Sequence, residues 1–224
     1  SPAPSSAPAG GAGAGAKPWL VREPVRDYHV VGRAELVDRV WRKLRDGVDT
    51  SLLFLPGVGK TTVAQELLRE RDKILGHFDG VLWANLGRQH VDSAELRAWG
   101  EALGIPAERM NSFDDKELWL RALQDAIGDR CMLVVLDDVW RTEDARRFME
   151  LGPRCVFLST TRSKTVAKEL GAGELVPELD PPQAFGLLCE VAPGAVEADP
   201  MAAKALLGTL QGLPLAIVLV GKVL

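Results

Sequence analysis

The chain has 224 residues, of which 46% are hydrophobic and 26% charged, and its formal net charge is -4. This composition is typical of a globular protein, and the lack of a basic excess argues against nucleic acid or an anionic membrane surface as the main partner. No apolar run reaches the roughly 20 residues that a membrane span needs, and the start lacks the charged-then-apolar pattern of a secretory signal.

The three cysteines, Cys131, Cys155 and Cys189, lie in apolar runs such as CMLVVL and CVFL. An odd number of cysteines without metal-ligand spacing is typical of reduced thiols, which we expect in buried strands. This pattern favours a cytoplasmic protein.

Residues 1–16, SPAPSSAPAGGAGAGA, consist almost wholly of Ala, Gly, Pro and Ser. Such a segment cannot bury enough apolar surface to become ordered, so we interpret it as a flexible linker or a tag remnant. A helix is predicted from Ala34 to a stop at Gly47, because apolar residues recur there at three- and four-residue spacing. These residues are Leu36, Val40, Trp41 and Leu44.

Short apolar segments then alternate with longer amphipathic ones. The predicted strands are 51–55, 80–86, 132–136, 155–160 and 174–179, and the predicted helices between them are 61–72, 92–103, 116–127, 143–151 and 163–170. Apolar strands separated by helices indicate a doubly wound α/β fold with a five-stranded parallel sheet. Ligands of such sheets bind outside the carboxyl ends of the strands, so we expect the chemistry just after Leu55, Leu136 and Thr160.

The pattern becomes entirely helical after residue 180. Asp180 is a plausible N-cap with Pro181 at the first helical position, and further helices are predicted around 201–210 and 214–224. We therefore divide the chain into a linker (1–16), an α/β domain (17–179) and a small helical domain (180–224).

The segment FLPGVGKTT, residues 54–62, differs from a phosphate-binding loop, G-x-x-x-x-G-K-[ST], only at its first position. The turn Gly57-Val58-Gly59 can direct its amide groups inward as an anion nest, and the helix that follows adds its positive end. Lys60 would reach the β- and γ-phosphates.

Two hydroxyl residues complete this loop: Thr61 would ligate Mg²⁺ and Thr62 would contact the α-phosphate. A chance glycine-rich turn is the alternative, but the match follows a predicted strand and opens a helix. Phe54 replaces the first glycine. Its ring either packs beneath the loop as core, which we favour, or distorts the loop and weakens binding.

The run MLVVLDDVW ends a predicted strand in two acids, which is the pattern of a Walker B strand. Asp137 would hold Mg²⁺ through its water shell, and Asp138 would polarise the attacking water. A helix N-cap is the structural alternative for such acids.

Two further sites gain weight from their order along the chain. Arg162 follows the strand in LSTTRS, where a cation can sense the γ-phosphate, although an isolated arginine is more often solvated. Pro214 lies in QGLPLAIV, which alone would signal only a helix N-terminus.

Taken in order, VVGR, FLPGVGKTT, HFDGVLWANLG, MLVVLDDVW, FLSTTRS and GLPLA resemble the NB-ARC module of STAND-class signalling ATPases. Members include plant disease-resistance proteins, the animal apoptotic protease-activating factor and bacterial relatives. The resemblance covers residues 27–224. It implies a P-loop NTPase sheet and a small helical domain, with ADP or ATP and Mg²⁺ held between them.

The resemblance also implies a switch: ADP locks a closed monomer, and exchange for ATP accompanies opening and self-association of the full-length protein. By position, Val31 and Arg33 would line the adenine and ribose, Arg162 would be the sensor arginine, and Pro214 would press on the base. Ala34 replaces the acid that usually follows Gly–Arg. The usual winged-helix, effector and sensor domains lie outside these residues.

Three hypotheses follow. The leading one is a slow, regulatory P-loop ATPase. The second is an ADP-binding scaffold that does not hydrolyse ATP, for which the short Asp138 side chain leaves room. The third is a DNA-associated, initiator-type ATPase, against which the net charge of -4 and the GLPLA motif both argue.

Overall fold

A computed structural model describes residues 17–20, 30–87, 93–111 and 116–224. It contains a five-stranded sheet in the order β2-β3-β4-β1-β5, and all neighbouring strands are parallel. The strands are β1 (Thr50–Leu53), β2 (Gly80–Asn85), β3 (Met132–Val139), β4 (Val156–Thr161) and β5 (Ala172–Leu175). The predicted parallel α/β fold is therefore confirmed. The predicted linker, 1–16, lies outside the described residues.

The helices follow the same alternation along the chain. In the first part they are α1 (Ala34–Arg45), α2 (Lys60–Leu67), α3 (Arg71–Leu75), α4 (Ser93–Ala102), α5 (Ala107–Asn111), α6 (Lys116–Ile127), α7 (Thr142–Met149) and α8 (Lys164–Leu170). They are followed by α9 (Pro181–Val191), α10 (Pro193–Ala198), α11 (Pro200–Leu210) and α12 (Pro214–Gly221). In the described part of the chain, no helix is both long and apolar enough to span a membrane.

Both faces of the sheet are covered by helices. Successive residues of β3 alternate between two buried clusters: Val134 and Leu136 belong to one, and Leu133 and Val135 to the other. This alternation is the period-two geometry of a strand, and it explains why β3 reads as a continuous apolar run.

Several element boundaries differ from the prediction. β1 ends at Leu53 rather than Leu55, because Phe54 leaves the extended conformation with φ 152. β5 was predicted at 174–179 but spans Ala172–Leu175, and Pro177 has no N–H group to extend the pairing. The helix predicted at 61–72 is divided into α2 and α3, and the short helices α5 and α10 were not predicted.

The helical segment after residue 180 begins as its sequence indicates. Asp180 and Gln183 form a reciprocal capping box, with Gln183 N–H donating to Asp180 Oδ1 over 2.8 Å and Asp180 N–H to Gln183 Oε1 over 3.2 Å. Pro181 occupies the first turn of α9. The helices α9 to α12 enclose a third buried cluster, which includes Leu188 and Ile217.

The two edges of the sheet are protected in different ways. At β2, Val81 N–H donates to the carbonyl of Pro18 and Leu20 N–H to the carbonyl of Val81, each over 2.9 Å. A Cβ atom at Gly80 would lie 2.6 Å from the Pro18 ring, so this segment needs glycine there. At β5, Glu174 accepts hydrogen bonds from Arg39 and Lys43 of α1, over 3.0 and 2.6 Å.

All three cysteines are free and partly buried. They do not lie in strands as predicted: Cys131 and Cys155 immediately precede β3 and β4, and Cys189 lies on α9. Burial raises the pKa of the Cys155 thiol to about 11, which keeps it protonated at neutral pH.

Candidate nucleotide-binding site

The predicted phosphate loop, the two acids and Arg162 lie at one edge of the sheet. The loop follows β1, the two acids lie near the carboxyl end of β3, and Arg162 follows β4. These three strands are adjacent in the sheet order. Because the three strands are parallel, their carboxyl ends meet at this edge, where ligands of open α/β sheets bind.

The loop has the backbone geometry of an anion nest. Gly57 and Gly59 both have positive φ angles, 82° and 91°, which glycine adopts without strain. Gly59 is the N-cap of α2 and, within the described residues, no side chain caps this helix start. The first amides of α2 are thus available to an anion. Val58 is fully buried and anchors the turn, and Thr62 lies beside Gly59.

Lys60 is directed back along the loop. Its Nζ donates to the carbonyl oxygens of Phe54 and Leu55, over 3.0 and 2.9 Å. Burial lowers the pKa of the Lys60 ammonium, and the nearby Arg162 guanidinium lowers it further. The carboxylates of Asp138 and Asp137 oppose this change in pKa. A bound phosphate would add a strong anionic partner for this partly desolvated cation.

Phe54 packs as core, which is the interpretation that its sequence position favoured, but in an unusual backbone conformation. Its ring is partly buried and packs against the core cluster beneath the loop. Its φ of 152°, however, is one that residues with a side chain rarely adopt. The glycine usual at this position of the loop would adopt it without strain. An effect of this conformation on nucleotide binding stays a prediction.

Asp137 joins the loop to the sheet. Its Oδ1 accepts hydrogen bonds from the hydroxyls of Thr61 (2.8 Å) and Thr160 (2.6 Å). The carboxylate is buried, with 3% of the residue exposed. Hydroxyl and carboxylate oxygens are the hard ligands that Mg²⁺ prefers, directly or through water, so this donor set fits the metal.

Asp138, Trp140 and Arg162 form a second group beside the first. Trp140 Nε1 donates to Asp138 Oδ2 over 3.1 Å, and Arg162 Nε lies 3.6 Å from Asp138 Oδ1. The Arg162 guanidinium also lies over the Trp140 ring, 4.9 Å from its centroid. The proposed water-polarising acid and the proposed sensor cation are therefore already in contact.

The GLPLA segment meets the loop through leucine. Leu215 N–H donates to the carbonyl of Gly57 over 3.2 Å, and a Cβ atom at Gly57 would lie 3.1 Å from Leu215 Cβ and 3.7 Å from Leu213 Cδ1. Pro214, the residue predicted to press on the base, is the first residue of α12 and is partly buried.

Arg33, which was predicted to lie on the ribose side, forms hydrogen bonds with two backbone carbonyls. Its Nη2 donates to the carbonyls of Val58 (3.0 Å) and Pro177 (2.7 Å), which ties the loop to the segment before α9. Burial lowers the pKa of its guanidinium, while Glu178 raises it. Val31 packs against the helical cluster, near Gly186.

The sequence motifs predict no role for Thr160, Trp140, Leu213 or Leu215, all of which lie at the site. Thr160 stood in a group of hydroxyl residues at a strand end, and Trp140 directly followed the acids, so proximity to the Walker B strand was the available signal. The two leucines could be found only from the packing of α12 against the loop.

Replacing Phe54 should separate its backbone strain from its packing. We expect Phe54→Gly to be more stable than Phe54→Ala by about 1 kcal/mol, because only glycine relieves the positive φ. The ordinary order is the reverse, since glycine is usually about 0.5–1 kcal/mol less stable than alanine. Chemical denaturation of both variants measures the difference, and an alanine variant equal to or above glycine would contradict a strained Phe54.

The family model described as the NB-ARC domain matches residues 33–195. Among curated relatives, disease resistance protein RFL1 of Arabidopsis thaliana is 27% identical over 207 residues, covering 86% of this chain and 23% of the relative. Disease resistance RPP13-like protein 4 of the same plant is 28% identical, with 90% and 26% covered.

Solved structures that share the fold include two from Pyrococcus species. The STAND protein with a tetratricopeptide repeat sensor from Pyrococcus horikoshii aligns with a TM-score of 0.57 and 16% identity, over 87% of this chain and 30% of that one. The Walker-type ATPase of Pyrococcus abyssi aligns with a TM-score of 0.56 and 16% identity, over 90% and 69%. The chain spans about a quarter of the length of the curated relatives it matches.

Proposed function

This chain belongs to the NB-ARC family, and from that premise we propose that it is a regulatory module that binds ADP or ATP with Mg²⁺ and hydrolyses ATP slowly. The contact between Thr61 Oγ1 and Asp137 Oδ1, at 2.8 Å, carries this proposal. It joins the two side chains expected to hold the metal, from two elements 76 positions apart in the chain.

Each side chain at the sheet edge has a task in this proposal. The amides of Gly57, Val58 and Gly59, the start of α2 and Lys60 would bind the phosphates, and Thr62 would contact the α-phosphate. Thr61 and Asp137 would hold Mg²⁺, which when bound neutralises phosphate charge. Asp138 would orient the attacking water, and Arg162 would stabilise the charge on the γ-phosphate.

The helical segment would complete the site. We assign 17–179 to the nucleotide-binding domain and 180–224 to a small helical domain, with the base near Val31, Arg33 and Pro214. The bond from Leu215 N–H to the Gly57 carbonyl supports a link between nucleotide state and helical-domain position. In the full-length protein, a cytoplasmic one in this proposal, such a link would control opening and self-association in response to partners not yet identified.

Identification of a co-purified nucleotide is the most direct test. The purified protein is denatured, and any released nucleotide is identified by chromatography and mass. Stoichiometric ADP would support a closed switch module and show that Phe54 is tolerated. A protein that releases no nucleotide, and that also fails to bind added ADP or ATP with Mg²⁺, would overturn the nucleotide-binding proposal.

Hydrolysis is tested separately. We expect Asp138→Ala to reduce the single-turnover rate of ATP hydrolysis by about 100-fold or more, because general-base or water-orienting groups typically contribute 10²–10⁴-fold. ATP binding should be retained. The surface variant Asp72→Ala, on α3, serves as the control. Undiminished hydrolysis in Asp138→Ala would exclude the assigned role of this carboxylate.

A non-hydrolysing, ADP-binding scaffold is the second candidate. The contacts of Asp138 with Trp140 and with Arg162 favour it, because they use hydrogen-bonding capacity that hydrolysis would require of both side chains. The absence of single-turnover hydrolysis in the wild-type protein, with normal ADP binding, would select this candidate over the ATPase.

A further inference from the structure

We propose that Thr160 is a positioning residue whose single buried hydroxyl sets the geometry of both Walker B acids, an inference that rests on the function proposed above. Thr160 lies on β4, one position after Ser159, and only 1% of it is exposed. Its Oγ1 donates to Asp137 Oδ1 over 2.6 Å and accepts from the backbone N–H of Asp138 over 2.9 Å. One oxygen atom thus contacts both acids.

The pairing of β3 with β4 explains why a side chain takes this place. Leu136 pairs with Ser159 and Val139 with Thr161, so Asp137 and Asp138 lie together opposite Thr160. Two residues opposite one is the arrangement of a β-bulge, which interrupts the backbone ladder and redirects side chains. At this interruption, the hydroxyl of Thr160 supplies the acceptor for the Asp138 N–H.

The bulge also accounts for the conformation of Asp138. Its φ of 54° is in the left-handed region. This conformation is energetically unfavourable for a residue that has a side chain, and it persists only where the surrounding structure holds it. The bond from its N–H to Thr160 is one such restraint. Because this peptide determines where the Asp138 carboxylate points, loss of the Thr160 hydroxyl should change the direction of the acid.

Thr160 and Thr61 both donate a hydrogen bond to Asp137, but they lie on different elements. Thr61 belongs to the start of α2 and would turn toward a ligand when the loop is filled, whereas Thr160 belongs to a central strand. Its bond to Asp137 can therefore persist through the nucleotide cycle. This chemistry requires a hydroxyl and not the γ-methyl group, so serine should replace threonine and valine should not.

The test compares three variants. Thr160→Val keeps the shape and removes the hydroxyl, and Thr160→Ser keeps the hydroxyl. Ser159→Ala removes a neighbouring buried hydroxyl, which lies 2.6 Å from Ser51 Oγ rather than at the acids. Thermal denaturation first establishes that each variant is folded. Single-turnover ATP hydrolysis and ADP binding are then measured over a range of Mg²⁺ concentrations.

We expect Thr160→Val to hydrolyse ATP about 10- to 100-fold more slowly, as displacement of a reacting group by about 1 Å does in other enzymes. Its half-saturating Mg²⁺ concentration should rise several-fold, while ADP affinity without Mg²⁺ stays unchanged. Thr160→Ser and Ser159→Ala should match the wild type in both respects. A valine variant with wild-type rate and Mg²⁺ dependence, or a serine variant as impaired as valine, would overturn the positioning role.

The failure of this inference is distinguishable from failure of the proposed function. If the wild-type protein binds ADP but does not hydrolyse ATP, the ATPase proposal fails, and the Mg²⁺ dependence of ADP binding still tests Thr160. If Ser159→Ala raises the half-saturating Mg²⁺ concentration as much as Thr160→Val does, the effect comes from the strand in general, and the inference is wrong.

Discussion

Lys60→Ala should abolish measurable binding of ADP and ATP. The Lys60 ammonium is the charged donor of the loop, and its Nζ is held at the Phe54 and Leu55 carbonyls, beside the amides of the nest. Removing a partly buried cation from a phosphate site costs about 3 kcal/mol or more, which corresponds to at least a 100-fold loss of affinity. Isothermal titration calorimetry with each nucleotide measures this loss.

The control for this prediction is Lys73→Ala, which removes a surface lysine of α3 from its ion pair with Glu70. It should bind both nucleotides as the wild type does. Normal ADP binding by a folded Lys60→Ala variant would mean that FLPGVGKTT is not the phosphate loop, whatever its backbone geometry.

Gly212→Ala should be the most destabilising single substitution considered in this chain. Gly212 begins the GLPL turn with φ 68°, and its carbonyl accepts a hydrogen bond from Leu179 N–H over 2.9 Å. An alanine Cβ would lie 2.1 Å from the Leu179 carbonyl oxygen, so backbone must move. We expect the free energy of unfolding to fall by about 2–4 kcal/mol, the range of severe backbone effects.

Two matched glycines separate the causes. Gly47 has φ 77° and open space at its Cβ position, so Gly47→Ala carries the conformational cost alone, about 1 kcal/mol. Gly208 is exposed on α11 and also has open space, so Gly208→Ala should stabilise by up to about 1 kcal/mol. Chemical denaturation ranks the three variants, and a Gly212→Ala variant no worse than Gly47→Ala would show that the turn absorbs the clash.

Much of the fold could be predicted from the sequence, because buried parallel strands leave apolar runs that periodicity detects. Errors arose where a single backbone feature ended an element. Phe54 continues the apolar run of β1, yet its positive φ ends the strand. Glu174 and Leu175 fall within the predicted last strand, but Pro177 stops the pairing that the run of apolar residues indicated.

The site was predictable only where a motif names the residue. Asp137, Asp138 and Arg162 were expected at one edge of the sheet, and the structure brings them together there. Thr160 and Leu215 depend on the register between β3 and β4 and on the position of α12. Neither is encoded in the periodicity of one segment. Arg33 was assigned to the ribose side, but its buried guanidinium bonds to carbonyls, and its ligand role stays a prediction.

The short segment at residues 17–20 has a consequence for behaviour at high concentration. An open parallel edge at β2 would present unpaired backbone groups on which a second molecule could add a strand, leading to aggregation. Pro18 and Leu20 bond to the N–H and the carbonyl of Val81 at this edge, and Gly80 leaves the space that they need. At the opposite edge the charged Glu174 discourages the same pairing. Each edge of the sheet thus carries a feature that disfavours the addition of a strand from a second molecule.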